Sequence, residues 1–442
     1  MRRFLEKQFA LAENSTSVRT EALAGLTTFL TMAYIIFVQP AVLGACGMDF
    51  GAVLTATCIA TALATTLMAL LANYPIAVAP AMGHNFFFAY SVVIGMKVPW
   101  RVALGGVALA GAIFVLTAGI GLRERLITAI PRSIKQAIAA GIGLLIAAIG
   151  LQWAGLIVAS PGTLVTLGNL HSPPVLLAVG ALAVSAVLMA RRVPGAFLWG
   201  MLASTAVGLP LGLVRYHGIA SRPPSLAPTF LQLDVAGAFS PGLVAVIAVF
   251  FFLALFDSVG TLVGVGEQAG LMREGTLPRA RQALLADAIG TVVGAALGTS
   301  TVTAYIESGA GIAAGGRTGL ASLVTAALFL VSLFLYPLVQ MVGGGHASGG
   351  TTLYPVIAAP LILVGTMMIG GLRQVPWDDP TEAIPAFLTL VMMPLAVSIT
   401  EGVAFGLLSY AGLKLATGRG REAHPLVYVF ALLFLGRYMF LR

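Results

Sequence analysis

Apolar segments of bilayer-spanning length recur along this chain and dictate its fold class. They fall at 21–41, 51–72, 74–95, 102–121, 133–152, 174–190, 194–214, 241–265, 282–298, 299–316, 318–341, 352–371, 383–399 and 401–417. A helix needs about 20 apolar residues to cross the hydrocarbon core of a membrane. Fourteen such segments predict an all-α polytopic membrane protein. Composition points the same way: 59% of the residues are hydrophobic and 9% charged, more apolar side chain than a water-facing globule can hide. The charged N-terminus, MRRFLEKQFALAENSTSVRTEALAG, lacks the short apolar region and small-residue cleavage site of a secretory signal. Cys46 and Cys58 imply neither a disulfide framework nor a metal cluster.

Lys and Arg favour the cytoplasmic side of short loops. With the N-terminus inside, eighteen of them fall in inside segments, among them Arg132, Lys135, Arg191, Arg192, Arg279 and Arg317. Four fall outside: Lys97, Arg101, Arg215 and Arg222. The net charge of +8 is then accounted for by loops facing anionic lipid, not by nucleic acid. The tail HPLVYVFALLFLGRYMFLR is short and carries Arg437. It is read as an interfacial or bundle-packed helix with a cytoplasmic C-terminus.

Two segments are not uniform helices. In TSTVTAYIESGAGIAAGGRTG, residues 299–319, the first half is β-branched and the second, from Ser308, is rich in Gly and Ala. This predicts a broken span, extended and then helical. In NYPIAVAPAMGHNFFFAY the stretch Tyr74 to Pro80 holds two prolines, and a helix can begin at Ala81 or Met82. The two breaks are seven spans apart, half of fourteen. An odd number of spans per half inverts the second half. The pattern therefore predicts two inverted repeats of seven, with spans 3 and 10 each half strand and half helix. Irregular backbone at membrane depth survives only where protein buries it or a cavity runs beside it. Paired interrupted spans are the best sequence pointer to a transporter's central site.

Polar groups gather at the same places. Asp257 interrupts the apolar run of the eighth span, with Ser258 and Thr261 after it, and Glu307 stands at the break of the tenth. A charge at the bilayer centre costs about 3 kcal/mol on insertion scales, so both are candidates for substrate binding and for carrying a coupling proton. Half-helix starts offer backbone N–H donors, here around Met82, Gly83 and His84 and at Ser308 and Gly309. Carboxylates that accept and amides that donate suit a ligand with both groups on its rim. A purine base fits, and a simple anion does not. Asn85 adds an amide, Phe86 a face for stacking, Thr28 a hydroxyl and His84 an imidazole. Asp287, Arg279, Arg281 and Arg317 read as anchors at the cytoplasmic face, GGGHASGG as a flexible external loop, and WDDPTEAIP as a capped helix start.

The stretches TTFLTMAYIIFVQP, ANYPIAVAPAMGHNFFFAY, LALFDSVGTLVGVGEQAGL and GTSTVTAYIESGAGIAAGGRTG resemble the AzgA-like branch of the nucleobase–ascorbate permeases, the hypoxanthine, guanine and adenine symporters. The resemblance implies a core domain of spans 1–4 and 8–11 (21–121 and 241–341). It implies a gate domain of spans 5–7 and 12–14 (122–214 and 342–417). The remainder is a cytoplasmic N-terminus (1–20), an external loop (215–240) and the tail (418–442). It further implies substrate contacts from Asp257, Glu307 and Asn85, a purine preference from Thr261, no cofactor beyond a coupling H+, and a homodimer through the gate domain in the cell membrane. Two residues depart from the branch: His84 replaces an apolar residue and Gln39 an Asn. The expected function is purine import by proton symport and alternating access. The alternatives are a sodium-coupled nucleobase carrier, a channel, a same-fold anion or carboxylate exchanger, or an intramembrane protease. The exchanger would want Arg or Lys at the two half-helix starts, and there is none between Tyr74 and Tyr90 or between Thr299 and Gly316. A protease would need a second deep Asp or a Ser–His pair.

Overall fold

A computed structural model describes residues 6, 8–120, 131–272, 277–348 and 350–440. Arg2, Arg3, Lys7, Arg123, Arg125 and Arg273, used above for orientation, lie outside the described residues. Helices begin where a short polar side chain catches a free amide. Ser17 accepts from Thr20 N ahead of α1 (Val18–Met32). A single turn residue, Ala33, separates it from α2 (Tyr34–Gly44). Asp49 accepts from Ala52 N to open α3 (Phe50–Leu67), which runs through π-helical turns to Ala72 and stops at the left-handed Asn73. Next come strand β1 (Val78–Pro80), the short helix α4 (Met82–Phe86), then α5 (Trp100–Ile120) and α6 (Arg132–Trp153). A hairpin of β2 (Ile157–Ser160) and β3 (Leu164–Leu167) leads to α7 (Pro173–Ala190) and α8 (Ala196–Gly208).

The second half repeats the plan. After a four-residue turn of helix, α9 (Val235–Ala238), come α10 (Val244–Gln268) and α11 (Ala280–Leu297). Gly298, at φ +101°, ends α11 in the left-handed region that suits glycine. Strand β4 (Val302–Ala304) and the half-helix α12 (Ser308–Ala313) follow. Then come α13 (Gly319–Ser332), α14 (Tyr336–Gly343), a hairpin of β5 (His346–Ser348) and β6 (Thr351–Leu353), and α15 (Ala358–Met368). Of GGGHASGG, read as an external loop, His346–Ser348 form the first strand of this hairpin, and Gly349 lies outside the described residues. Asp379 caps α16 (Pro380–Leu395), bearing out the capped start read in WDDPTEAIP, and α17 (Ile399–Ala416) and α18 (Pro425–Phe440) complete the chain. The tail helix packs on α17, with Phe430 edge-on to Phe252 and Arg437 2.9 Å from Glu401. Among the described residues, eight helices are long and apolar enough to cross a membrane. The chain is a multi-pass membrane protein.

The two broken segments meet. β1 and β4 pair antiparallel, with Ala79 opposite Thr303. Each strand is clasped by a threonine from the helix before it. Thr65 Oγ1 accepts from Val78 N and donates to Val78 O, both at 3.0 Å. Thr291 Oγ1 does the same to Val302, at 3.2 and 2.9 Å. In both halves one hydroxyl thus satisfies the N–H and C=O that a two-stranded ribbon leaves open at membrane depth. Packing sorts the helices into two sets: α1, α3, α5, α10, α11, α12 and α13 around the strands, and α6 with α15, α16 and α17 beside them.

Gly311 lets α12 lie against α1, since a Cβ there would fall 2.0 Å from Thr28 Oγ1 and 2.6 Å from Ala24 O. Gly311→Val should destabilise the protein by about 1–3 kcal/mol, seen as a lower melting temperature in detergent. An unchanged melt would refute this contact.

Candidate functional site

A cavity of about 690 Å³ lies between the two helix sets. Its polar lining is His84 at the start of α4, Arg132, Lys135 and Gln136 at the start of α6, and Asp257 and Thr261 on α10. Gly83, Ile142, Phe256 and Ile306 supply apolar wall. Asp257 sits midway along a 25-residue helix, yet its side chain is 45% exposed. The cavity explains how a carboxylate can lie at that depth.

The strand pair holds the acids. Thr303 Oγ1, on β4, donates to Asp257 Oδ2 at 3.0 Å. Glu307 follows four residues later, partly buried, and accepts from Tyr34 O–H at 2.7 Å. Thr31 Oγ1 lies 3.3 Å from the Glu307 carbonyl. Tyr34 is 1% exposed and meets Phe197 of α8 edge-on, ring centroids 5.3 Å apart. It therefore links Glu307 to α8. Sequence reasoning missed Tyr34, because the contact spans 273 positions of chain and a tyrosine in an apolar run signals packing.

Of the other residues singled out from sequence, Gly83, His84 and Thr261 line the cavity with Asp257, whereas the rest stand behind it. Asn85 is fully buried; its Oδ1 accepts from Ser300 Oγ and its Nδ2 lies 3.5 Å from Pro80 O. Gln39 joins the same buried group through Thr299 and Ser300, at 3.0 and 3.4 Å. Phe86 stacks on Tyr90 and is buried. Thr28 lies under Gly311. Ser308 N donates to Tyr305 O and Gly309 N to Ile306 O. Those two amides close a turn, so the N–H donors expected there are already used. Ser308 Oγ instead accepts from Ala77 N, tying α12 to the β1 segment.

Asp287 overturns its reading as a cytoplasmic anchor. It lies two turns into α11, is fully buried, and accepts from Ala304 N of β4 at 3.2 Å. Glu21, unremarked in the sequence, is equally buried. It accepts from the amides of Arg317, Thr318 and Ala321 and so caps α13.

This is a paired-strand site flanked by carboxylates and open to a cavity, on a two-set helical scaffold. Residues 19–405 match the Permease family of xanthine/uracil type. The chain belongs to that family, the nucleobase–ascorbate permeases. The permease is 46% identical over 438 residues to adenine permease AdeP of Escherichia coli, covering 99% of this chain and 96% of that one. It is 46% identical over 446 residues to guanine/hypoxanthine permease PbuG of Bacillus subtilis, covering 98% and 99%. Its fold is shared by the transmembrane domain of a cyanobacterial bicarbonate transporter, BicA, with a TM-score of 0.64 at 17% identity, covering 86% of this chain and 97% of that one. The permease is a transporter and not an enzyme. The protease alternative falls with that, although Asp287 supplies the second buried Asp that it lacked.

Proposed function

We propose that this permease imports purine nucleobases by proton symport and alternating access. The observation that carries the reading is Asp257, exposed to a base-sized or larger cavity and tied through Thr303 to the strand from which Glu307 follows. The adenine and guanine/hypoxanthine permeases at 46% identity support the substrate class. In this reading Asp257 and Glu307 accept from ring N–H groups, one of them carries the coupling proton, and Thr261 borders the base. Amides around Met82 and Gly83 donate. Asn85, Gln39 and Phe86 hold the first half-helix in place from behind. Residues 21–121 and 241–341 form the moving core of a fourteen-span chain, and 122–214 and 342–417 the gate. The N-terminus is cytoplasmic, and homodimers form through the gate in the cell membrane. Arg132, Lys135 and Gln136 belong to the side that the charge bias makes cytoplasmic, so the cavity corresponds to an inward-open state.

Labelled hypoxanthine and adenine uptake in cells expressing the chain tests this. Saturable uptake, collapsed by a protonophore and unchanged when sodium is replaced by choline, is expected. Uptake no higher than in vector cells would sink the reading, and sodium dependence would replace the proton. Arg132 and Lys135 in the cavity favour anion exchange as a second reading. Uptake of hypoxanthine that bicarbonate does not compete away excludes it.

Tyr34 acts here as a positioning residue. Tyr34→Phe removes one hydrogen bond to Glu307 and should lower hypoxanthine uptake about tenfold with unchanged membrane level. In a Glu307→Ala background, where the acceptor is gone, it should change purine binding by less than about twofold, because the two share one interaction. Additive losses would refute the coupling.

A further inference from the structure

His84 is the feature that packing leaves unexplained. Its ring is 3% exposed and forms part of the cavity wall. Neither Nδ1 nor Nε2 has a hydrogen-bond partner. Nδ1 lies 4.0 Å from Asp257 Oδ2, too far for a hydrogen bond, and that oxygen already accepts from Thr303. A buried polar group without a partner is costly, and native structures keep few of them. A leucine would fill much the same space at no such cost. The ring therefore needs a partner that the resting protein does not supply.

The chemistry of the ring narrows what that partner is. The nearby carboxylates only accept, and backbone amides only donate. A neutral imidazole carries one donor and one acceptor, and these exchange places with its tautomer. The two nitrogens point well apart around the ring, so one of them meets a ligand at a time, and its complement is a ring nitrogen that can likewise be bare or carry hydrogen. The five-membered ring of a purine has such nitrogens at N7 and N9, whereas both ring nitrogens of a uracil-type pyrimidine carry hydrogen. The wall facing the turn is close: a Cβ on Gly83 would lie 2.7 Å from Ile142 Cγ2 of α6. Motion of α6 against the turn, which alternating access requires, would uncover the ring nitrogens to an occupant of the cavity.

We propose that His84 is a specificity-determining residue that hydrogen-bonds the five-membered-ring edge of the transported purine. The inference rests on the purine reading above and adds the atoms that are read. The experiment pairs a protein variant with ligand analogues. Wild type and His84→Leu are compared for inhibition of labelled hypoxanthine uptake by adenine, 7-deazaadenine and 9-deazaadenine. Wild type should disfavour at least one deaza analogue by about tenfold, the worth of one hydrogen bond. His84→Leu should bind adenine about tenfold more weakly and no longer distinguish that analogue. His84→Asn, which keeps a donor and an acceptor, should retain part of the discrimination and serves the same comparison should the leucine variant not reach the membrane. The leucine variant should melt no lower than wild type, since it removes two unpaired nitrogens. A role in packing alone predicts the opposite: a lower melt with analogue discrimination intact. Discrimination that survives in both variants overturns the inference and leaves purine transport standing. Absence of purine uptake by the wild type overturns the reading beneath it.

Discussion

Glu307→Ala should abolish concentrative hypoxanthine uptake, with initial rates at least about a hundredfold below wild type at equal membrane level. Three features set that magnitude. The carboxylate is a charged acceptor at the end of the strand pair, and hydrogen bonds to charged groups are worth about 1.5–3 kcal/mol. Its truncation strands Tyr34 O–H, which is 1% exposed and has Glu307 as its acceptor at 2.7 Å. It also removes one of two groups able to carry the coupling proton, so accumulation fails even where binding persists. Glu307→Gln separates these losses. The amide can still accept from Tyr34 but cannot cycle a proton, so exchange of labelled for unlabelled purine should outlast net accumulation. Accumulation by Glu307→Ala within twofold of wild type would remove Glu307 from the site.

The sequence carried the architecture in its interruptions. Two breaks in an oily chain, one marked by Pro75 and Pro80 and the other by a β-branched run before a Gly- and Ala-rich start, pointed to one central site, and there the segments pair, Pro80 with Val302. The helical start, read as Ala81 or Met82 because Pro80 lies just before it, falls at Met82. What stayed hidden was direction. Asn85 and Phe86 were recognisable as belonging to the site, but a helix, which here runs on from Met82 through π-helical turns to Gly95, presents its side chains all round, and these two turn to the protein and not to the cavity. Asp287 was misplaced because span limits read from hydropathy begin α11 late, and a two-residue error moves a side chain by more than half a turn. The half-helix at Ser308 was read correctly, but its amides were taken as free when Tyr305 and Ile306 carbonyls occupy them. Contacts from the other helix set, Arg132 and Lys135 among them, have no local signature at all.

Asp257 makes the second strong prediction. Asp257→Asn keeps the size of the side chain and an oxygen to accept from Thr303, so the strand pair should stay in place and the protein should reach the membrane in normal amount. What is lost is charge and one acceptor on the cavity side. With 45% of the side chain open to the cavity, that acceptor faces the incoming ligand. Concentrative uptake should fall by about a hundredfold, since a ligand N–H would lose a charged acceptor. Asp257→Ala should do at least as badly and also release Thr303, so it should melt at a lower temperature than the Asn variant. Thr303→Val leaves the charge and removes only the tie. It should cost uptake about tenfold. The order Thr303→Val mild, Asp257→Asn severe and Asp257→Ala severe and less stable separates a ligand-binding carboxylate from a helix-packing one. If Asp257 served only to bind Thr303, the asparagine variant would transport nearly as well as wild type and the valine variant would be the more damaging of the two. Initial rates of labelled hypoxanthine uptake, read beside melting curves of the purified variants, decide between the two.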